Sequence, residues 1–140
     1  MKFILILVYA SLTLFAANAE DAAFALDFEE DYKTALSKAK KSNKPLMLVV
    51  VQDPCPYCDS LVEETLSDAN VKKELEGFVS VIIDKKGNLP EEFRVRAVPM
   101  TFFINPRIEK STYKNLGFLD AEDFTKMLKH VKSLSPKKIK

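Results

Sequence analysis

Cys55-Pro56-Tyr57-Cys58 brings together the only two cysteines of this 140-residue chain. The motif lies between a continuous apolar run, Leu46–Val51, and a stretch whose apolar residues recur at helical spacing. A cysteine at such a helix start meets unpaired backbone N–H groups and the positive end of the helix dipole, and both favour an anion. The Cys55 thiol is therefore expected to ionise below its free value of about 8.5. A populated, accessible thiolate is the attacking species in thiol–disulfide exchange. Cys58 falls one helical turn further in, where it is expected to be shielded and to resolve a mixed disulfide. Pro56 suits the first helical turn, where its missing N–H costs nothing.

Two other uses of the pair compete with exchange. A zinc site needs four ligands, yet there is no second cysteine pair and His130 is the only histidine. No metal is expected. A static structural disulfide is the stronger competitor, although closing so short a loop gains little, because the gain grows with loop length.

Composition narrows the function further. With 21 basic against 20 acidic residues, the chain has no net positive field to attract nucleic acid. Three glycines without a Gly-rich run exclude phosphate loops and dinucleotide fingerprints, and no cofactor is expected. Apolar residues make up 47%, enough for an ordinary core.

The first nineteen residues read as an address. Lys2 precedes an apolar segment, and the segment ends at Ala17-Asn18-Ala19 before Glu20 and Asp21. That pattern is a secretory signal peptide, with cleavage expected after Ala19. The greasy segment falls short of the roughly 20 residues that span a bilayer. The predicted organisation is a signal peptide at 1–19, one domain at 20–134 and a basic tail at 135–140. The mature protein is expected in the periplasm or secreted, where disulfides persist.

Positioning elements follow from the patterning. Asp27, with Glu30 three residues on, reads as a capping-box start for a helix carrying Phe28, Tyr32, Ala35, Leu36 and Ala39. Leu46–Val51 reads as a strand buried on both faces. Cys55 to Leu66 reads as a helix with Cys58, Leu61, Val62 and Thr65 on one side, and Ser67 as the cap of a short helix ended by Gly77. Phe78–Ile83, Met100–Ile104 and Tyr113–Phe118 read as further strands, the last two paired antiparallel across a short turn. Asp120 caps a final helix carrying Phe124, Met127, Leu128 and Val131, with His130 exposed near its end and given no catalytic role. The fold class is α/β, a mixed four- to five-stranded sheet with helices on both faces. Pro99 stands at a strand start, where either isomer is tolerated and the local pattern favours trans.

In order and spacing, these pieces resemble the thioredoxin superfamily: Leu46–Val51, Cys55–Cys58, Val79–Asp84, Val98-Pro99-Met100-Thr101, and Gly117-Phe118-Leu119 with Phe124 and Leu128. The segment from Ala35 to Lys44 is similar to the opening helix of secreted members. The likeness covers about Phe28 to Val131. It implies a thioredoxin fold, Cys55 as nucleophile, Cys58 as resolving thiol, and Pro99 as a cis-proline facing them. It further implies that Val98 contacts an extended substrate by strand addition, and that Pro56 and Tyr57 tune the redox poise. Two positions depart from the cytoplasmic members: Pro54 stands where they carry a tryptophan, and Val49 where they carry a buried acid. No acid at position 49 is then present to move the Cys58 proton.

The function expected on this resemblance is a protein thiol–disulfide oxidoreductase acting on protein thiols and disulfides. It is read as a monomeric reductant or relay served by a membrane electron donor, rather than an isomerase. The alternative is a non-catalytic binding module on the same fold with a static disulfide. Contact of Lys137, Lys138 and Lys140 with anionic lipid is a minor third reading.

Overall fold

The computed structural model describes residues 18–134. In chain order its helices are α1 (Ala19–Leu26), α2 (Tyr32–Ser42), α3 (Pro56–Ser60), α4 (Ala69–Leu75) and α5 (Ala121–Leu134). Its strands are β1 (Leu46–Val51), β2 (Val79–Asp84), β3 (Met100–Asn105) and β4 (Lys110–Leu116). A π-helical turn, Leu61–Leu66, continues α3, and a 3-10 turn spans Glu91–Phe93. Among the described residues no helix is long and apolar enough to cross a membrane.

The unbroken apolar run of β1 makes it a central strand, buried at all six positions. The sheet order is β2-β1-β3-β4. β1 runs parallel to β2 and antiparallel to β3, and β4 returns antiparallel to β3. Successive strand residues face opposite sides, so the run feeds two cores. Met47, Val49 and Val51 join Ile82, Phe103 and the buried sides of α1, α3, α4 and α5. Leu46, Leu48 and Val50 join Val81, Phe102, Ile104 and Phe93 beneath α2. Each such side chain contributes about 1.5–3 kcal/mol by leaving water.

Among the described residues the sheet has four strands. Where a fifth would lie, outside β2, Glu29 makes a single parallel bridge to Val81. Its N–H donates to the Ser80 carbonyl, and its own carbonyl accepts from Ile82. The opposite edge, β4, is almost wholly exposed. Lys110 and Lys114 on that strand discourage edge-to-edge pairing.

Helix starts differ from expectation in two places. Asp27 does not open α2. It closes α1 in the left-handed region, φ 57°, and its N–H is turned back to Ala23 and Phe24. The α2 cap is Asp31, whose carboxylate accepts the Thr34 N–H at 2.8 Å. Likewise Asp68, rather than Ser67, caps α4. The predicted signal peptide lies outside the described residues except for Asn18 and Ala19, which form the cap and first residue of α1. The basic tail lies outside them entirely.

Candidate functional site

Asp53 and Pro54 lead out of β1 through a cis peptide bond into Cys55. Cys55 is the cap of α3, with extended backbone, φ −158° and ψ 96°. Its carbonyl accepts the N–H groups of Cys58 and Asp59, each at 3.0 Å. Its Sγ accepts the Cys58 N–H at 3.2 Å. Pro56 occupies the first turn, where no donor is needed. The sequence thus starts a helix here for local reasons: a side-chain acceptor at the cap, then a proline with its φ already helical.

Cys55 and Cys58 are joined in a disulfide with Cα atoms 5.2 Å apart. Access differs between the two sulfur-bearing residues: Cys55 is 8% exposed and Cys58 1%. Tyr57 projects into solvent between them, 69% exposed. Cys58 sits on the face that α3 turns to the sheet, with Leu61, Val62 and Thr65 buried beyond it. The expected single helix is divided into α3 and the π turn. Ser67 Oγ donates to the Val62 carbonyl, and Thr65 Oγ1 donates to the Leu119 carbonyl at 2.6 Å. The second bond ties this helical run to the loop before α5.

Pro99 reaches the same end of the sheet from β3. Met100 pairs with Val50, so Pro99 lies alongside the end of β1, four residues before Cys55. The Val98–Pro99 peptide bond is cis. The Pro99 carbonyl is held by the Gly117 N–H at 2.8 Å. Gly117 adopts φ 95°, a conformation that L side chains resist, with open space where a Cβ would stand. Val98 is half-buried and packs against both cores. Val98 has no backbone hydrogen bond to other described residues. His130 is exposed on α5, its ring edge-on to Tyr113 and far in sequence from the cysteines. Among the described residues no cluster of three His, Cys, Asp or Glu side chains could hold a metal ion.

Thr101, 1% exposed, carries a buried hydroxyl with no hydrogen-bond partner among the described residues. Such an orphan costs about 1–3 kcal/mol. Strict alternation along β3 could have flagged it, since Thr101 shares a face with the fully buried Phe103.

A family model described as thioredoxin-like domain matches residues 32–132. Anterior gradient protein 2 of Xenopus laevis is 26% identical over 76% of this chain and 62% of its own length. The thiol:disulfide interchange protein DsbD of Klebsiella pneumoniae is 26% identical over 92% of this chain and 25% of its own length. The chain therefore spans less than two thirds of either relative. A thioredoxin from Thermus thermophilus superposes with a TM-score of 0.66 at 25% identity, covering 74% of this chain and 85% of that one. The C-terminal domain of Neisseria meningitidis DsbD, in its oxidised form, gives 0.59 at 25% identity, covering 74% and 97%. The mixed four-stranded sheet with helices on both faces is a thioredoxin fold.

Proposed function

Because the chain belongs to the thioredoxin-like domain family, we propose that it is a periplasmic protein thiol–disulfide oxidoreductase working through Cys55 and Cys58. The observation that carries this reading is the placing of Cys55. Its sulfur caps a helical run and accepts a backbone N–H, while Cys58 is shielded behind it. An N–H aimed at a sulfur stabilises the thiolate over the thiol.

In the reducing direction, the Cys55 thiolate attacks one sulfur of a substrate disulfide. A mixed disulfide forms, and the other substrate sulfur leaves with the electron pair and takes a proton from water. Cys58, as thiolate, then attacks the Cys55 sulfur. The Cys55–Cys58 disulfide forms and the second substrate thiol is released, two electrons having passed to the substrate. Val98, with its free backbone groups beside Pro99, pairs with the extended substrate chain by strand addition. Pro56 and Tyr57 set the poise between the sulfurs, and exposed Tyr57 borders the substrate.

The likeness to the DsbD C-terminal domain supports exchange with protein thiols, and the proposed role is that of a monomeric reductant or relay with a membrane protein as electron donor. The Ala17-Asn18-Ala19 ending supports export with cleavage after Ala19. The mass of the protein recovered from the periplasm then corresponds to a chain starting at Glu20.

The test is insulin reduction by wild type and Cys55→Ser, with the reduction potential measured against dithiothreitol and glutathione buffers. Turnover by wild type alone is the expected result. A disulfide that resists strong reductant, with no turnover from any dithiol, makes the pair a static staple and the protein a binding module.

A further inference from the structure

Thr101 pairs directly across from Val49 in the antiparallel β1–β3 ladder, and directly opposed residues point to the same face. Val49 and Phe103, the latter two residues along β3, both belong to the buried cluster that holds Cys58. The orphan hydroxyl therefore faces the layer in which the second sulfur lies, two residues from Pro99. A valine would fill a similar volume without a polar atom to bury. The hydroxyl is a donor without an acceptor while Cys58 is tied in the disulfide.

We infer that Thr101 is a positioning residue whose hydroxyl donates to the Cys58 sulfur once the disulfide opens. The inference rests on the exchange reading and adds the group that receives the Cys58 thiolate. In the resolving step the Cys58 proton passes to water and the thiolate attacks Cys55. The bond between Cys55 and the substrate sulfur breaks, and that sulfur leaves with the electron pair to be protonated by water. Thr101 keeps its own proton throughout and acts only by directing it at the Cys58 sulfur. The buried cluster offers no competing charge, being made of apolar residues and the two cysteines. On the helices packed over this face, Asp59, Glu74 and Lys132 are half-buried, as is Asp84 at the end of β2, paired with Val51 on the same face as Ile82, and the other ionisable side chains of those helices are at the surface. Glu74 and Lys132 satisfy each other.

The test compares Thr101→Val with Thr101→Ser. Titration of Cys58 is followed by its Cβ chemical shift in a Cys55→Ser background, and mixed-disulfide resolution is followed in single turnover. Thr101→Val is expected to raise the Cys58 midpoint by about one pH unit, lowering its thiolate fraction about tenfold at neutral pH. Nucleophilicity rises with pKa at a Brønsted slope of about 0.4–0.5, so resolution slows only about threefold. Thr101→Ser is expected to keep the wild-type midpoint and rate, and Thr101→Val to melt no lower than wild type. An unchanged Cys58 midpoint in a folded Thr101→Val protein overturns the inference, as does a raised midpoint in Thr101→Ser. The titration uses no substrate, so its failure leaves the exchange reading standing. Absence of insulin turnover, conversely, removes the exchange reading without touching the titration.

Discussion

The Cys58 amide donates to the Sγ of Cys55, so the sulfur at the edge of the site is also the acceptor that starts its helix. Capping and reactivity are thus one interaction. In the reduced protein, Cys55→Ser keeps a cap acceptor, whereas Cys55→Ala removes it. Chemical denaturation of the reduced proteins is expected to show Cys55→Ala about 1 kcal/mol less stable than Cys55→Ser. The same N–H favours the ionised sulfur. Alkylation of reduced wild type is therefore expected to follow a midpoint below about 8.5 at Cys55. Mass spectrometry of labelled peptides checks which sulfur reacts.

Asp31 accepts both the N–H and the hydroxyl of Thr34, each at 2.8 Å. Those bonds, the N–H first, hold its carboxyl below the ordinary 3.8. A depressed folded value contributes stability above the unfolded value, and loses it as pH falls through the folded one. Asp31→Ala is expected to cost about 1 kcal/mol at neutral pH. The gap from wild type should narrow below about pH 4. Urea midpoints of the two proteins at neutral and acidic pH measure the gap.

That cap also shows where the sequence is hard to read. Asp27 and Asp31 stand four residues apart, each ahead of helix-forming residues, and both fit an amphipathic start. Only the fold decides between them, because Asp27 is already used to end α1. Helix α1 is not among the expected elements: Ala19 reads as the cleavage site, and no element is expected between Glu20 and Leu26. By contrast β1, β3 and α5 were legible, each carried by an apolar pattern that local choices do not contradict, whereas β4, expected over Tyr113–Phe118, spans Lys110–Leu116 because its polar, exposed first residues give no apolar signal. At the site, the Cys55 cap and Pro56 announce the helix start from type alone. The orphan hydroxyl of Thr101 depends on what lies across the sheet, which its residue type does not announce.

Tyr32 is 5% exposed and packs its ring 5.7 Å from that of Phe93. Burial, with the nearby Glu109 and Glu92 carboxylates adding to it, pushes its phenol up to about 12. A raised folded value means that the neutral phenol supports the fold fully below the unfolded value of 10.0. This support is lost as pH rises toward the folded value. Wild type is expected to lose stability between those limits, and Tyr32→Phe, with nothing to ionise, to lose less. Lysine deprotonation acts on both proteins, so the difference between their denaturation midpoints isolates the phenol. Equal alkaline losses in the two proteins would remove Tyr32 from the account.

Val49 is fully buried and faces Thr101 across the ladder. A carboxyl placed there leaves water, which raises its pKa above the usual carboxylate value. Val49→Asp is expected to destabilise the fold by about 3 kcal/mol at neutral pH, the cost of burying a polar group with too few partners. The sign of the pH dependence follows from the raised value. The penalty is smallest where the acid is neutral in both states, and it grows as pH climbs from the unfolded value toward the folded one. Thr101 offers this carboxyl a hydroxyl donor directly across the ladder. Adding Thr101→Val to Val49→Asp is therefore expected to cost more than the two changes separately, by about 1 kcal/mol or more. Strict additivity in that double-mutant cycle, read from denaturant midpoints at neutral pH, would show that the hydroxyl and position 49 do not meet.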